Sequence, residues 1–234
     1  MKYHNPYLTD MNNMLTFLKN LQSNNNREWF NAHKNEYEIA KKEFEALCNE
    51  VILKIAAFDS PIGKVSVKEC VFRIHRDIRF SPDKTPYKTH FGAYISFPGG
   101  RKSPRGGYYL HIDPKEGSFF GAGVWSPAPP ILKALRQSIY ENYDEFEEIT
   151  GDKAFKSLYK DSFYQQDKLK KLPAGFSSDF ADPEILKLKH YFVAHNFTEP
   201  DLKNENFTSI IANYAQTAYP LLRFFNYTID EVTA

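Results

Sequence analysis

The middle third of the sequence most restricts the fold, because short segments there alternate between apolar and polar residues. This alternation predicts four β-strands, at residues 69–79, 90–97, 107–113 and 118–125. Stretches rich in Gly and Pro, such as 98–107, separate the segments and are typical of hairpin connections. Short connections join antiparallel neighbours, so we predict a central antiparallel sheet of about four or more strands.

Helical periodicity precedes this region. Apolar residues recur at steps of three and four over residues 9–22, where Thr9 or Asp10 is the expected cap. The same spacing continues over about residues 27–57, with Asn26 as the expected cap. Two helices are therefore predicted before the sheet.

Helical periodicity also follows the sheet. Ser126 and Pro127 predict the start of a helix that reaches about Asn142. A last helix is predicted over residues 200–226, whereas residues 184–197 fit either a helix or a strand.

Together these patterns predict a single α+β domain over residues 1–234. Its order is helical over 9–57, sheet over 69–125 and helical over 127–226. The long N-terminal and C-terminal helices are expected to cover the apolar face of the sheet, which leaves the polar face open for a site.

Composition restricts the class of protein. The 234 residues are 42% hydrophobic, which suffices for a sizeable core, and the net charge of +1 argues against a nucleic-acid-binding polycation. The two cysteines, Cys48 and Cys70, make no disulfide framework and fit a reducing compartment. No apolar run reaches the ~20 residues of a spanning helix, and the N-terminus lacks a signal-peptide core. A cytoplasmic location without a membrane partner is therefore expected.

Positive charge is concentrated around the stretch from Phe72 to His90. The wider segment from Lys64 to Arg105 contains ten Lys and Arg residues against three Asp and Glu residues. Arg suits bidentate binding of carboxylate or phosphate, and crowded guanidinium groups repel one another unless anions intervene. An anionic ligand is therefore predicted. Its expected contacts are Arg73, Arg76, Arg79, Lys84 and Tyr87.

Acid–base groups are predicted on the same surface. If the predicted strands pair antiparallel in chain order, their polar faces form one floor. That floor would consist of Arg73, His75, Asp77, Arg79, Tyr94, Tyr109 and His111. The predicted catalytic groups are His75 or His111 as acid or base, with Asp77 orienting the imidazole.

The motif R-x-x-R-D-x-R-F-x-x-D-K-x-P-Y, from Arg73 to Tyr87, resembles the signature of the family called domain of unknown function 2461. The segments NNNREWF, GYYLHI and FGAGVW resemble the same family, so the resemblance extends over about residues 12–226. Members are typically bacterial proteins of about this length. The resemblance implies one compact unit and supplies neither an activity nor a catalytic residue.

Two ligand classes compete for the basic motif. The first is an anionic small molecule, for example a phosphorylated one, which an enzyme would bind and act on. The second is the backbone of a nucleic acid, with Tyr87, Tyr94 and Tyr109 stacking on bases, or the surface of another protein. The near-neutral total charge favours the small molecule.

Two further hypotheses use the same residues. His75 with Asp77, and His111 with Asp113, have the spacing of metal ligands on a strand, but the neighbouring arginines oppose a cation, so no metal site is predicted. Alternatively, Asp77 and Asp83 neutralise the Arg and Lys residues in a purely structural ion-pair network. The sequence identifies no cofactor.

Overall fold

The computed structural model describes residues 11–160 and 163–234, and its helices cover one face of a four-stranded antiparallel sheet. The strands are β1 (Phe91–Ile95), β2 (Gly107–Ile112), β3 (Ser118–Val124) and β4 (Tyr191–Phe197). The α-helices are α1 (Asn12–Ser23), α2 (Arg27–Ala32), α3 (Lys34–Ile55), α4 (Val67–Cys70), α5 (Pro129–Glu141), α6 (Tyr143–Gly151), α7 (Lys153–Tyr159), α8 (Glu199–Leu202) and α9 (Phe207–Thr233). Short 3-10 helices occupy Ser60–Lys64, Gly100–Lys102 and Ile185–Lys187. The predicted α+β class is confirmed.

The sheet has the order β1-β2-β3-β4, with every pair antiparallel. Strands β1 to β3 confirm the predictions for 90–97, 107–113 and 118–125. β4 lies in the segment whose type the sequence left open, and it pairs with the free edge of β3. The region 127–226 is therefore not helical throughout.

The register separates the sheet into two faces. Ala93, Leu110 and Phe120 form one row across β1, β2 and β3, and all three are buried. Helices α3 and α9 cover this face; for example, Phe44 of α3 stacks on Phe91 with ring centres 5.3 Å apart. Each fully buried large apolar side chain stabilises the fold by roughly 1.5–3 kcal/mol. The packing of α3 and α9 therefore holds the sheet firmly, and this fixes the orientation of its other face.

The predicted N-terminal helices form with one interruption. Asn26 caps α2 as expected, because its side chain accepts the N–H of Trp29 at 2.9 Å. The predicted helix over 27–57 is broken at His33, whose backbone leaves helical geometry and whose ring stacks on Trp29. The caps expected at Thr9 and Asp10 lie outside the described residues.

The predicted cap at Ser126 is wrong. Ser126 has a φ of 48°, and its N–H donates to Nδ1 of His190 at 2.8 Å. Helix α5 begins at Pro129 instead, with Ala128 before it. The hydrogen bond to His190 therefore ties this turn to the start of β4.

The strand predicted at 69–79 does not form. Its start belongs to α4, where Ser66 and Glu69 make a capping box, and the following chain makes two isolated bridges, one of them to β1. The other backbone hydrogen bonds of this segment are largely internal, such as the one from the N–H of Arg76 to the carbonyl of Pro86 at 3.0 Å. We call residues 71–89 the motif loop, because it folds back on itself instead of extending the sheet.

The sequence predicted no membrane-spanning helix. Within residues 11–160 and 163–234, no helix has both the length and the apolar character that a membrane crossing requires.

Candidate functional site

A pocket of about 620 Å³ lies on the sheet face that α3 and α9 leave uncovered. Its floor comes from alternate residues of the first three strands. These are Tyr94, Tyr109, His111 and Phe119. We call this cavity the sheet-face pocket. Its volume is typical of sites for small molecules.

Glycines in β3 allow the pocket wall to lie against the sheet. A Cβ at Gly121 would lie 2.2 Å from the ring of Phe192 in β4, and Gly123 has a φ of +134° that side chains rarely adopt. The Phe192 ring therefore lies directly over the β3 backbone, where it lines the pocket.

Aromatic rings form much of the wall. Trp125, which is 50% exposed, stacks on His190 at 4.1 Å and meets Phe192 edge-on at 5.6 Å. Phe72 of the motif loop contacts the Tyr109 ring edge-on at 6.3 Å. Rings held by such contacts present flat, preformed apolar surfaces to a ligand.

The rim between β1 and β2 is held by a buttressing arginine. The guanidinium of Arg101 donates to the carbonyls of Lys68, Glu69 and Val71 at 2.7, 2.9 and 3.1 Å. Its donors hold the chain in place, so this side chain supports the pocket edge.

Two histidines meet at one end of the pocket. The ring centres of His90 and His111 are 4.3 Å apart, and Nδ1 of His111 lies 3.2 Å from the Tyr109 hydroxyl. Burial lowers the pKa of His111 to about 4, with His90 and Lys88 acting in the same direction and Asp113 opposing them. Burial and Lys88 also lower the pKa of His90. Both imidazoles are therefore neutral at pH 7.

A buried carboxylate lies beside the histidines. Asp113 is 2% exposed, and its Oδ1 accepts the N–H groups of Lys115 and Glu116 at 2.9 and 3.0 Å and the amide of Gln22 at 3.1 Å. Ligand atoms of His90, His111 and Asp113 all lie within 4.8 Å of one another. Among the described residues, these three form a set that could hold a metal ion.

Lys88 is a positively charged side chain near the pocket that is suited to binding an anion. It is half-buried, and within the described parts of the chain no carboxylate lies within salt-bridge distance of its ammonium. The ammonium lies 5.1 Å from the centre of the Phe72 ring. Burial lowers the pKa of Lys88, and the nearby Arg73 lowers it further.

The motif loop neutralises two of its own arginines. Arg79 donates to both oxygens of Asp77 at 2.9 and 2.7 Å, and Arg76 bonds to Asp83. The Thr85 N–H and Arg76 hold the pKa of Asp83 at about 2. These pairs lie at the surface, where solvent weakens them.

A family model described as a conserved hypothetical protein (DUF2461) matches residues 13–224. The chain belongs to the DUF2461 family. No curated protein and no solved structure matches the chain. For this DUF2461 chain, function must therefore be argued from the geometry.

The DUF2461 chain brings together only part of the predicted floor. Tyr94, Tyr109 and His111 line the sheet-face pocket. The motif loop carries the other members of that floor, so the prediction is wrong for Arg73, His75, Asp77 and Arg79. The cause is the missing strand at 69–79. The catalytic roles of His75, Asp77 and His111 stay predictions, and one of the three lies in the pocket.

The predicted anion contacts occupy different environments. Tyr87 is buried, with its ring stacked on Phe30 at 4.0 Å, and Lys84 donates to the carbonyl of Ile78 at 3.0 Å. Arg73 is exposed, near Asp77. Arg73 is therefore the motif arginine least engaged by the protein itself, and anion binding by this set remains a prediction.

Sequence reasoning missed His90, Trp125 and Phe192 as pocket residues of the DUF2461 chain. The alternating glycines of FGAGVW were a usable signal, since they indicate that something approaches that strand closely. The approaching group is Phe192, which belongs to a strand far along the chain. No local pattern connects the two.

Proposed function

We propose that this chain binds a small molecule that carries a flat ring and an acidic group, and that the sheet-face pocket is the binding site. One observation carries the proposal: aromatic walls and two neutral histidines line one cavity, and half-buried Lys88 lies beside them, over the Phe72 ring, with no carboxylate partner among the described residues. Apolar cavities with a few convergent polar groups are typical of ligand sites.

The ring of the ligand is expected between the aromatic walls. Trp125 at the mouth and Phe119 on the floor offer faces on which a planar group stacks. Because hydrogen bonds and ring contacts already hold the pocket rim, little side-chain entropy is lost on binding, which favours affinity.

The acidic group of the ligand is expected near Lys88. A half-buried ammonium loses hydration without gaining a counter-charge, so an anion there recovers free energy. Exposed Arg73 adds positive charge on the same side. In this proposal His111 is a neutral group on the floor of the pocket, and His75 and Asp77 take no part.

The test uses thermal shifts with three probes: phenyl phosphate, inorganic phosphate and phenol. Phenyl phosphate is expected to raise the melting temperature most, because it satisfies both halves of the pocket. Lys88→Met should weaken phenyl phosphate binding about tenfold or more. Lys84→Met, also in the motif loop, is the matched control. This variant should bind phenyl phosphate with the affinity of the parent.

Two results would reject the proposal. One is that no probe shifts the melting temperature of the parent. The other is that Lys84→Met loses as much affinity as Lys88→Met. The melting temperatures of both variants without probe establish that each is folded.

We propose a second candidate function for the motif loop, the binding of single-stranded nucleic acid. Phe80 is 93% exposed, and the Arg79 guanidinium lies 5.8 Å from its ring centre. An exposed ring among cations suits stacking on a base. Fluorescence anisotropy with a labelled oligothymidine should show binding that weakens with salt and with Phe80→Ser. Equal affinity of Phe80→Ser and the parent would reject it.

A further inference from the structure

We infer that His90, His111 and Asp113 bind one divalent transition-metal ion at the end of the sheet-face pocket. Two imidazole nitrogens and one carboxylate oxygen suit Zn²⁺ or Fe²⁺ and leave coordination positions open. The inference goes beyond the proposed function, because the ion requires no organic ligand in order to bind.

The backbone itself brings the three residues together. β1 and β2 pair so that Phe91 lies opposite Ile112, and the flanking residues His90 and Asp113 continue that register. His111 lies on the pocket face of β2, and the three ligand atoms are all within 4.8 Å of one another. The pairing of β1 with β2 holds the backbone beside these three residues in place.

The surrounding hydrogen bonds leave one coordinating atom free on each residue. Oδ1 of Asp113 accepts three hydrogen bonds, whereas Oδ2 has no donor within the described residues. Nδ1 of His111 contacts the Tyr109 hydroxyl, which leaves Nε2 without a partner in the same residues. Neither ring nitrogen of His90 is hydrogen-bonded there, although the ring packs against His111.

These contacts match the outer shell of a metal centre, where ligands are oriented by hydrogen bonds to their other atoms. The Tyr109 hydroxyl has space because residue 92 is a glycine, and a Cβ at Gly92 would lie 2.7 Å from that oxygen. A buried carboxylate with three donors on one oxygen and none on the other is oriented for a cation on its free side.

The positive charge of Lys88 opposes a metal ion at the site, since it lowers the pKa of both histidines. An anion between the ion and the ammonium would bridge them. The metal therefore also provides a second contact for the acidic group of the proposed ligand, but the test below needs no such ligand.

The experiment uses the untagged 234-residue chain, which is stripped with EDTA and then titrated with Co²⁺ and Zn²⁺ by absorbance and calorimetry. One ion per chain is expected, with Co²⁺ giving visible bands of a site with nitrogen and oxygen ligands. His90→Ala should weaken binding about 100-fold, and Tyr109→Phe about tenfold. His75→Ala, in the motif loop, is the matched control and should bind as the parent does.

Absence of a stoichiometric ion in the parent, or equal affinity of His90→Ala and the parent, would overturn the inference. His90 makes no side-chain hydrogen bond within the described residues, so its removal is expected to leave the fold intact, which a melting curve checks. Because no phenyl phosphate is present, this result is independent of the test of ligand binding.

Discussion

The motif loop and the sheet-face pocket differ in how their charged groups are matched. In the loop, Arg76 and Arg79 each bond to a carboxylate that lies a few residues away. Beside the pocket, at the end of the loop, Lys88 has no carboxylate partner within the described residues, and the nearby buried Asp113 has one oxygen without a donor there. A dense run of charge in a sequence can be satisfied locally, whereas the proposed binding of an acidic group depends on a charge that the described residues leave without a partner.

The two regions also differ in what holds them. The arginine ion pairs of the loop lie at the surface and contribute little to the stability of the fold, whereas buried Ile74 and Tyr87 hold the loop against the core. The pocket is held by close packing between β3 and β4. Substitutions should therefore separate the two regions clearly.

The largest effect is expected from Gly123→Ala, which should lower the free energy of unfolding by about 3–4 kcal/mol. A Cβ there would lie 2.1 Å from the carbonyl oxygen of Tyr191, so β4 and the pocket wall must shift. Urea denaturation measures the change. Gly117→Ala is the control, since Gly117 also has a positive φ but an added Cβ meets nothing within 4 Å.

Gly117→Ala should lower the free energy of unfolding by about 1–2 kcal/mol, because of backbone strain alone. A loss for Gly123→Ala no greater than for Gly117→Ala would contradict the view that close strand approach builds the pocket.

The next effect is on the pH dependence of stability in EDTA-treated protein. Folded His111 has a pKa of about 4, below that of an unfolded histidine, so the unfolded state binds more protons between about pH 4 and 6.5. Stability should therefore fall as the pH drops through that window, by on the order of 2 kcal/mol. His111→Gln should flatten this part of a urea-denaturation profile.

The motif loop titrates in a different window. The pKa values of Asp77 and Asp83 are lowered, so their contribution is present above about pH 4 and is lost only as the pH falls further. Asp83→Asn should thus leave the profile between pH 4 and 6.5 unchanged. A change in that window equal to the one caused by His111→Gln would contradict the assignment.

The smallest effect is expected from the loop ion pairs. Arg79→Ala and Arg76→Ala should leave the midpoint of urea unfolding almost unchanged, because both pairs lie at the surface. A large loss of stability in either variant would show that the ion-pair network is a structural element of the fold.

Much of the fold was predictable from local patterns. Alternation located β1 to β3, and the position of Asn26 located the start of α2. The strand predicted at 69–79 failed because its backbone groups bond largely within the motif loop, which alternation does not reveal. β4 was undecided because its type depends on pairing with a distant strand.

The candidate site was less predictable than the fold. The sequence indicated His111 and the tyrosines correctly as a polar strand face, because they follow strand parity. The sequence grouped these residues with the arginines of the motif loop. Their actual neighbours include Phe192 and Trp125, which reach the pocket through the pairing of β4 with β3. The closely spaced arginines instead lie on a loop in which Arg76 and Arg79 are paired with its own carboxylates.

The most direct test of the account maps phenyl phosphate binding by amide and indole chemical shifts in isotope-labelled protein. The account predicts that the largest shifts occur at His111, Gly121 and the Trp125 indole, around the sheet-face pocket. Largest shifts at Arg76, Arg79 and Thr85 would contradict it, because they would place the ligand on the ion-paired part of the motif loop and not at the pocket.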